Sequence, residues 1–288
     1  MTDVREGGRG KGGGNIRITA NSLILNGGQL QANTAGEGDA GDIIIDVDDT
    51  VTLEGITSSG FVSGMTTSVL QGGDGQGGNI QITGRSLVLS DGAQLKAEAE
   101  GLGDAGDIII NTRDNVSFDG SNVNAIDSNG NRSTIYSAAI SRTEGLGRQG
   151  GDIRITTGSL SVTNGAQLEA STVLGGRGNA GNIIINARDA VLIDGTGIDG
   201  SSSGLLSGTY DFASGQGGGI FITTDSLQIS NGAIISGLTT TSGRGGSITV
   251  DTNTLICSME DKSSQILLEK GSRNYYAQCE REHHAIGP

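Results

Sequence analysis

The sequence predicts an all-β fold, a right-handed parallel β-helix (solenoid) of about eight coils with three short strands in each coil. Two glycine-containing motifs alternate along the chain, and aliphatic residues recur at matching positions after each motif. Hydrophobic and polar residues also alternate over short runs that end at Gly or Asn. Short alternating runs indicate strands, and a motif that recurs at a regular period indicates one structural unit per repeat.

The two motifs mark where each coil begins. The first reads GGNIRIT from Gly13 and returns as GGNIQIT, GGDIRIT and GGGIFIT, whereas the second reads DAGDIII from Asp39 and returns as DAGDIII and NAGNIII. A further copy, GGSITV from Gly245, would begin the eighth coil. Successive copies are about 28 residues apart, or about 37 to 45 where a longer loop intervenes, so we expect insertions to be confined to loops.

Matching positions of the repeats form aliphatic columns. The first predicted strand contributes the series Ile16, Ile43, Ile80, Ile108, Ile153, Ile183, Ile220 and Ile248. A second series lies two residues further on, and the second strand supplies two more from Leu23 and Leu25. Alternate residues of a strand share one face and stacked strands lie about 4.8 Å apart, so we expect these residues to fill a narrow core. Asn-Gly and Asp-Gly pairs supply turns with positive φ.

Composition and charge disfavour several other classes of protein. The chain has 52 glycines, one proline and no tryptophan, unlike an average globular domain. Its net charge of −14 disfavours nucleic acid or an anionic membrane as the main partner, because both need a basic face. No apolar run is long enough to span a membrane.

The chain divides into three parts. Residues 1–14 form a leader to the first coil, residues 15–257 form the β-helix, and residues 258–288 form a C-terminal segment that is a candidate cap. The leader has no hydrophobic core of the kind found in signal peptides. We therefore expect either that the protein is not exported alone or that an exported precursor begins further upstream.

The combined motifs resemble the repeat region of filamentous-haemagglutinin-type exoproteins, particularly the multicoil versions of cyanobacteria. The resemblance covers residues 15–257 and rests on GGNIxIT, a Ser-Leu strand, NGAQL and NAGNIIINARDAV. It implies a pectin-lyase-like β-helical stalk that is secreted or attached to the cell surface at the outer membrane. It also implies export by a two-partner route through an outer-membrane transporter, and a role as an adhesin. The motif of the family's secretion domain requires a proline that this region lacks, since the only proline is Pro288.

Two groups of loop residues are candidates for ligand binding. GEGDAG, GLGDAG and GRGNAG match the G-x-G-x-x-G pattern, but a strand follows each match where a dinucleotide site requires a helix. We therefore interpret them as turns. Asp39, Asp42, Asp104 and Asp107 have oxygen ligands suited to calcium, but the third copy of the motif has Asn at both positions. Turn capping by Asp and Asn explains both versions, and we expect no cofactor.

A carbohydrate-active enzyme similar to polysaccharide lyases is the alternative function, because that chemistry occurs on β-helices. It would use several acids and a base, for which Arg113 and Arg188 are candidates beside Asp114 and Asp189. These residues recur along the repeat, as do Asp49 and the acids Glu54, Asp119 and Asp194 that precede glycine. Enzyme sites are rarely periodic, and histidine occurs only at His283 and His284. We therefore expect no catalytic residue.

Two further features concern surfaces and ends. Cys257 occupies a core column in the last coil, where we expect it to be buried, and it could pair with Cys279 or remain an inert thiol. The residues between the inward isoleucines should point outward, which gives an apolar stripe of Ile44, Ile109, Ile184 and Phe221. Either the long inserts cover this stripe, the interpretation we favour, or it docks another rod or a surface partner.

These observations predict a structural or adhesive rod without catalytic activity. The longer inserts, about 56–76, 121–149 and 196–216, all follow copies of the second motif and should emerge along one side. Binding to cell-surface glycans or proteins would then be concentrated on those inserts.

Overall fold

The fold is a parallel β-helix of eight stacked coils. The computed structural model describes residues 12–57, 60–120, 123–126, 132–135, 138–240, 243–258, 265–267 and 277–278. Within these ranges the strands form two stacked sheets and one hairpin, and no helix is present. We number the coils by the residue that begins the first strand of each, which is Ile16, Ile43, Ile80, Ile108, Ile153, Ile183, Ile220 and Ile248.

Strands are numbered along the chain. The first sheet, in which all pairs are parallel, contains β1 (Ile16–Ala20), β2 (Leu23–Asn26), β4 (Ile43–Val47), β5 (Thr50–Glu54), β7 (Ile80–Leu89), β9 (Ile108–Asp119), β13 (Ile153–Thr163), β15 (Ile183–Asp194), β17 (Ile220–Ser230) and β19 (Ile248–Ser258). The second contains β3 (Gln29–Gln31), β6 (Gly64–Thr66), β8 (Gln94–Lys96), β12 (Ala138–Ile140), β14 (Gln167–Glu169), β16 (Gly204–Leu206), β18 (Ile234–Ser236), β20 (Gln265–Leu267) and β21 (Ala277–Gln278). β10 (Val123–Ile126) and β11 (Arg132–Ile135) form an antiparallel hairpin.

The predicted three strands per coil are modified at one corner. In coils 1 and 2 the first two strands are separate, but from coil 3 onward they join into one strand of 10 to 12 residues. The pairing register shifts at the junction, for example between Thr157 and Ser159, because a bulge lets one strand turn the corner. A ladder of single bridges lies after the second sheet and joins Thr34, Val69, Ala99, Thr143, Thr172, Thr209 and Thr239.

The aliphatic columns form the core as predicted. Ile43, Ile45, Val51 and Leu53 are fully buried, and so are most of their counterparts in coils 3 to 7. The second sheet adds an inner column of Met65, Leu95, Ala139, Leu168, Leu205 and Ile235. Burying a side chain of this size contributes about 1.5–3 kcal/mol, so stacked aliphatic layers are the main stabilising term.

Glycine recurs because the coils approach one another closely. A Cβ atom on Gly106 would lie 1.9 Å from the carbonyl oxygen of Gly78, and a Cβ on Gly78 would lie 2.1 Å from that of Gly41. Equivalent clashes continue through Gly151, Gly181, Gly218 and Gly246. The glycine two positions before the first strand of each coil is therefore required by close contact between coils. A strand follows each of these glycines, which agrees with the interpretation of the glycine-rich segments as turns.

Buried hydroxyl groups distinguish the two kinds of repeat. Thr67, Ser141 and Ser207, in coils 2, 4 and 6, donate hydrogen bonds to the carbonyl oxygens of Gly78, Gly106 and Gly181 at 2.6–2.8 Å. The aligned residues in coils 3 and 5 are Ala97 and Ala170. Hydroxyl-bearing and apolar residues thus alternate from coil to coil at this inner position.

Candidate functional site

The candidate calcium ligands lie in two ladders of side chains that bond to the backbone of the next coil. Oδ1 of Asp42 accepts a hydrogen bond from the N–H of Asn79 at 2.8 Å, and Oδ1 of Asp107 accepts one from the N–H of Asp152 at 2.8 Å. Asn15, Asn79, Asp152 and Asn182 make the same bond from coil to coil. Aspartate and asparagine are interchangeable here because each needs only one acceptor oxygen.

Asp39 and Asp104 belong to the second ladder. Oδ1 of Asp39 accepts from the N–H of Gln76 at 2.7 Å, and Oδ1 of Asp104 accepts from the N–H of Gln149 at 3.1 Å. Gln76, Gln149 and Asn179 continue the ladder with amide oxygens. In the part of the chain that the structure describes, no three His, Cys, Asp or Glu side chains form a group suited to a metal ion.

The acids that precede glycine bond to the Asn-Gly turns of neighbouring coils. The amide nitrogen of Asn164 donates to Asp119 at 2.9 Å, and that of Asn231 donates to Asp194 at 2.8 Å. Asn26 makes the equivalent, longer bond to Glu54 at 3.4 Å. These carboxylates therefore hold the turns in register between coils.

The candidate enzyme residues lie at the bulge between the two halves of the long strands. Arg188 donates to its neighbour Asp189 at 2.8 and 3.0 Å, and Arg113 lies 3.4 Å from its neighbour Asp114. Both arginines are well exposed and line a shallow groove with threonines of adjacent coils. Asp49 instead pairs with Arg85 of the next coil at 3.1 Å. Each of these three acids is thus paired with a single arginine.

A non-periodic charge cluster was missed by the sequence analysis. Arg142 lies 2.9 Å from Glu98, 2.7 Å from Glu144 and 3.5 Å from Glu169, and Lys96 lies 3.4 Å from Glu98. The side chains of Glu98 and Glu169 are only 6% and 10% exposed. The cluster joins coils 3, 4 and 5 across the second sheet. Its sequence signal was the run of charged residues at alternate positions in KAEAE and SRTE, where other coils carry mostly small polar residues.

Glu169 of this cluster and the neighbouring Glu100 have raised pKa values. Burial is the main cause of the raised pKa of Glu169, and the nearby Glu98 and Glu144 add to it, while Arg142 lowers it. Burial also raises the pKa of Glu100, again with contributions from Glu98 and Glu144. Four carboxylates share two cations, so the cluster holds excess negative charge in a poorly hydrated position.

The inserts emerge on one side, as predicted. Relative to coil 3, extra residues follow Glu54, Asp119 and Asp194 at the end of the long strand in coils 2, 4 and 6. Two inserts close with antiparallel bridges, Ile56 to Val62 and Thr196 to Ser202, and the third contains β10 and β11. The inserts are shorter than predicted, since β6, β12 and β16 belong to the second sheet common to all coils.

The apolar stripe is aligned as predicted. Ile44, Ile109 and Ile184 are half-buried and Phe221 is 39% exposed, with Arg154 between Ile109 and Ile184. Arg154 is bonded to Asp107 and to Asp152. The covering role that we favoured for the inserts is not supported. Each stripe residue is the second residue of the first strand in its coil. The inserts instead leave from the other end of the first sheet, after Glu54, Asp119 and Asp194.

Cys257 lies at the C-terminal end of the stack. Cys257 pairs in register with Ile229, as its column predicts, but it is only half-buried because β19 is the last strand of its sheet. Cys257 is not a free thiol. Cys279 lies outside the described residues, as do His283, His284 and Pro288, and the pairing of the two cysteines stays a prediction.

Among the residues that the structure describes, no helix has the length and apolar character needed to cross a bilayer. A comparison with family models, with curated proteins and with solved structures finds no match to this chain.

Proposed function

We propose that this chain is a structural and adhesive rod of the filamentous-haemagglutinin type, secreted or held at the cell surface, which displays its inserts to glycans or proteins of another surface. The observation that carries the proposal is the position of the three inserts. They leave the same corner of alternate coils, so they stand in one row about 9.6 Å apart, twice the spacing of stacked strands.

The scaffold beneath this row supports the proposal. Coils joined by continuous strand pairing, by two side-chain ladders and by a filled aliphatic core form a stiff support that holds variable segments at fixed spacing. Many of the residues that recur from repeat to repeat serve this stacking. The inserts are therefore the segments that differ most from one coil to another.

The chain supplies native replacements for its own inserts. Coil 3 connects Leu89 to Gln94 through a short turn that contains Asp91, Gly92 and Ala93. Replacing residues 55–63 by Asp-Gly-Ala, and residues 195–203 by the Asn-Gly-Ala of coil 5, would remove two inserts and keep the coil register. These variants should melt close to the wild type.

The experiment measures binding of the full chain to a glycan array and to intact cells. The same measurement on the insert-replacement variants shows whether the inserts carry the binding. We expect binding that is lost in the variants. Binding that persists in both variants would contradict display by these inserts. Formation of unsaturated sugar products from acidic polysaccharides, followed in parallel, would instead support the lyase-like alternative.

A further inference from the structure

A row of apolar side chains occupies the turns that follow the bridge ladder. Leu146, Leu174 and Phe212 lie in coils 4, 5 and 6 and are 53%, 59% and 98% exposed. The turns are linked directly, since the N–H of Gly145 donates to the carbonyl of Leu174 and that of Gly175 donates to the carbonyl of Asp211. We call Leu146, Leu174 and Phe212 the tip row. It lies on consecutive coils, about 4.8 Å apart, along one edge of the rod.

Two members of the tip row have a backbone conformation that disfavours them. Leu174 has φ of 49° and Phe212 has φ of 64°, and Asp211 beside it has φ of 52°. Such angles are unfavourable for a bulky L-residue and are adopted readily by Gly. The Asn-Gly turns of the same chain place Asn164 and Asn231 at these angles, and Asn tolerates them better. Large apolar residues at strained and exposed positions point to binding at the tips.

The turns are held rigidly from below. Each closes with a hydrogen bond between its first and fourth residues, of 2.8 Å in coil 4, 2.9 Å in coil 5 and 3.0 Å in coil 6. Thr143 donates to Thr172 at 3.1 Å beneath the first two turns. Burial raises the pKa of Tyr210, at the base of the third turn, to about 12. The tips therefore need little ordering when they bind.

Charged residues of both signs lie near the tip row, and Asp211 is exposed beside Phe212. Arg148 and Arg177 follow the turns of coils 4 and 5 and are exposed. The N–H of Arg177 donates to the carbonyl of Gly147, so the two arginines are on adjacent stretches of backbone. Within the described ranges neither forms an ion pair. Guanidinium groups bind phosphate strongly.

We propose that the tip row docks on a zwitterionic phospholipid surface, with the apolar tips in the interfacial region and Arg148 and Arg177 on headgroup phosphates. Three tips on consecutive coils along one edge can approach a flat surface together. Leu174 and Phe212 line only a shallow, open groove, whereas small-molecule sites enclose most of their ligand. The net charge of −14 repels an anionic bilayer. We therefore expect lipids whose phosphates are balanced by a cationic group. This proposal is independent of the row of inserts.

The test uses the full chain and phosphatidylcholine vesicles in a flotation assay. The double variant Leu174→Asn, Phe212→Asn removes apolar surface and places Asn where positive φ suits it. We expect its vesicle binding to fall about a hundredfold, because each buried side chain of this size is worth about tenfold or more. Its melting temperature should be unchanged or higher. Arg148→Gln with Arg177→Gln should weaken binding by a smaller factor, about twofold per arginine, because exposed ion pairs contribute little.

The matched control is Ile198→Asn, since Ile198 is 84% exposed but lies on an insert at another corner. It should bind as the wild type does. A second measurement uses Phe212→Trp and Ile198→Trp, because the chain has no tryptophan of its own. Vesicles should shift the emission of the first to shorter wavelength and leave the second unchanged.

Several results would overturn the proposal. These are no binding of the wild type to phosphatidylcholine, equal binding of the double variant, equal loss in Ile198→Asn, or no emission shift for Phe212→Trp. Binding to anionic vesicles or to heparin that is tighter than to phosphatidylcholine and independent of Phe212 would assign the surface to a polyanion instead.

Discussion

Oδ1 of Asp42 accepts a hydrogen bond from the backbone N–H of Asn79 one coil further along, at 2.8 Å. Asn79 accepts the next bond of the ladder from the N–H of Asp107, also at 2.8 Å. The residues that resembled calcium ligands in the sequence therefore act as acceptors that join coil to coil. This relationship repeats at the start of successive coils, where the strands of the first sheet begin.

The first prediction tests the ladder at Asn79. Asn79→Ala leaves the N–H of Asp107 without its side-chain acceptor and should lower the free energy of unfolding by about 1 kcal/mol. Asn79→Asp keeps the acceptor oxygen and should be close to the wild type, because aspartate occupies this position in neighbouring coils. Urea unfolding gives both values. Equal losses in the two variants would contradict the ladder.

The second prediction concerns close approach of the coils at glycine. Gly106→Ala would place a Cβ atom 1.9 Å from the carbonyl oxygen of Gly78 and should cost about 3 kcal/mol or more. Gly28→Ala is the control, since its Cβ would meet nothing closer than 3.5 Å. It should change stability by less than about 0.5 kcal/mol. Thermal unfolding followed by circular dichroism separates the two, and similar melting shifts would count against the clash.

The third prediction uses two neighbouring residues on opposite faces of β9. Ile110 is fully buried, so Ile110→Asp places an uncompensated charge between coils and should cost more than about 4 kcal/mol. Asn111 is exposed, so Asn111→Asp should change the unfolding free energy by less than about 0.5 kcal/mol. Comparable losses in the two variants would refute the assignment of strand faces.

The fourth prediction concerns pH and Glu169. Its pKa in the folded protein is raised above the ordinary value of 4.5, so folding favours the protonated form. Its contribution to stability is complete below pH 4.5 and is lost as the pH rises through the folded-state pKa. Glu169→Gln imitates the protonated form and should be more stable than the wild type at pH 7 but not at pH 4.

Melting temperatures between pH 4 and pH 8 test this sign, with exposed Asp46→Asn as the control. The gain from Glu169→Gln should grow as the pH rises. A variant that is less stable than the wild type at pH 7 would show that the ion pair with Arg142 outweighs burial.

The fifth prediction concerns the apolar stripe. Changing Ile44, Ile109 and Ile184 together to Thr should lower the unfolding free energy by only about 1–2 kcal/mol, because these side chains are half-buried. Changing their buried neighbours Ile43, Ile108 and Ile183 to Thr should cost several times more. Sedimentation at high concentration shows whether the outer variant also associates less. A large loss of stability in the outer variant would mean that a segment covers the stripe.

Much of the fold could be predicted from the sequence because its information is local and repeated. Alternation of Ile16, Arg17 and Ile18 assigns the faces of one strand, and repetition of that pattern assigns the neighbouring strands. The number of coils, the core columns and the corner from which the inserts leave all followed from this. The joining of the first two strands from coil 3 onward could not be predicted from the sequence. It depends on a bulge, and the bulge depends on the backbone geometry at the corner of each coil.

The sequence by itself determined that this protein stacks like residues in eight coils, since identical neighbours satisfy the same contacts at every level. Only the tertiary structure decided which charged and apolar side chains meet outside the core. Arg142 and Glu98 are 44 positions apart in the sequence, and they meet because the insert of coil 4 leaves the stacking register intact. The tip row likewise depends on turn geometry, since only the observed backbone shows Leu174 and Phe212 at positive φ. Contacts of this kind depend on loop lengths and side-chain reach between coils, and a repeat pattern does not specify either.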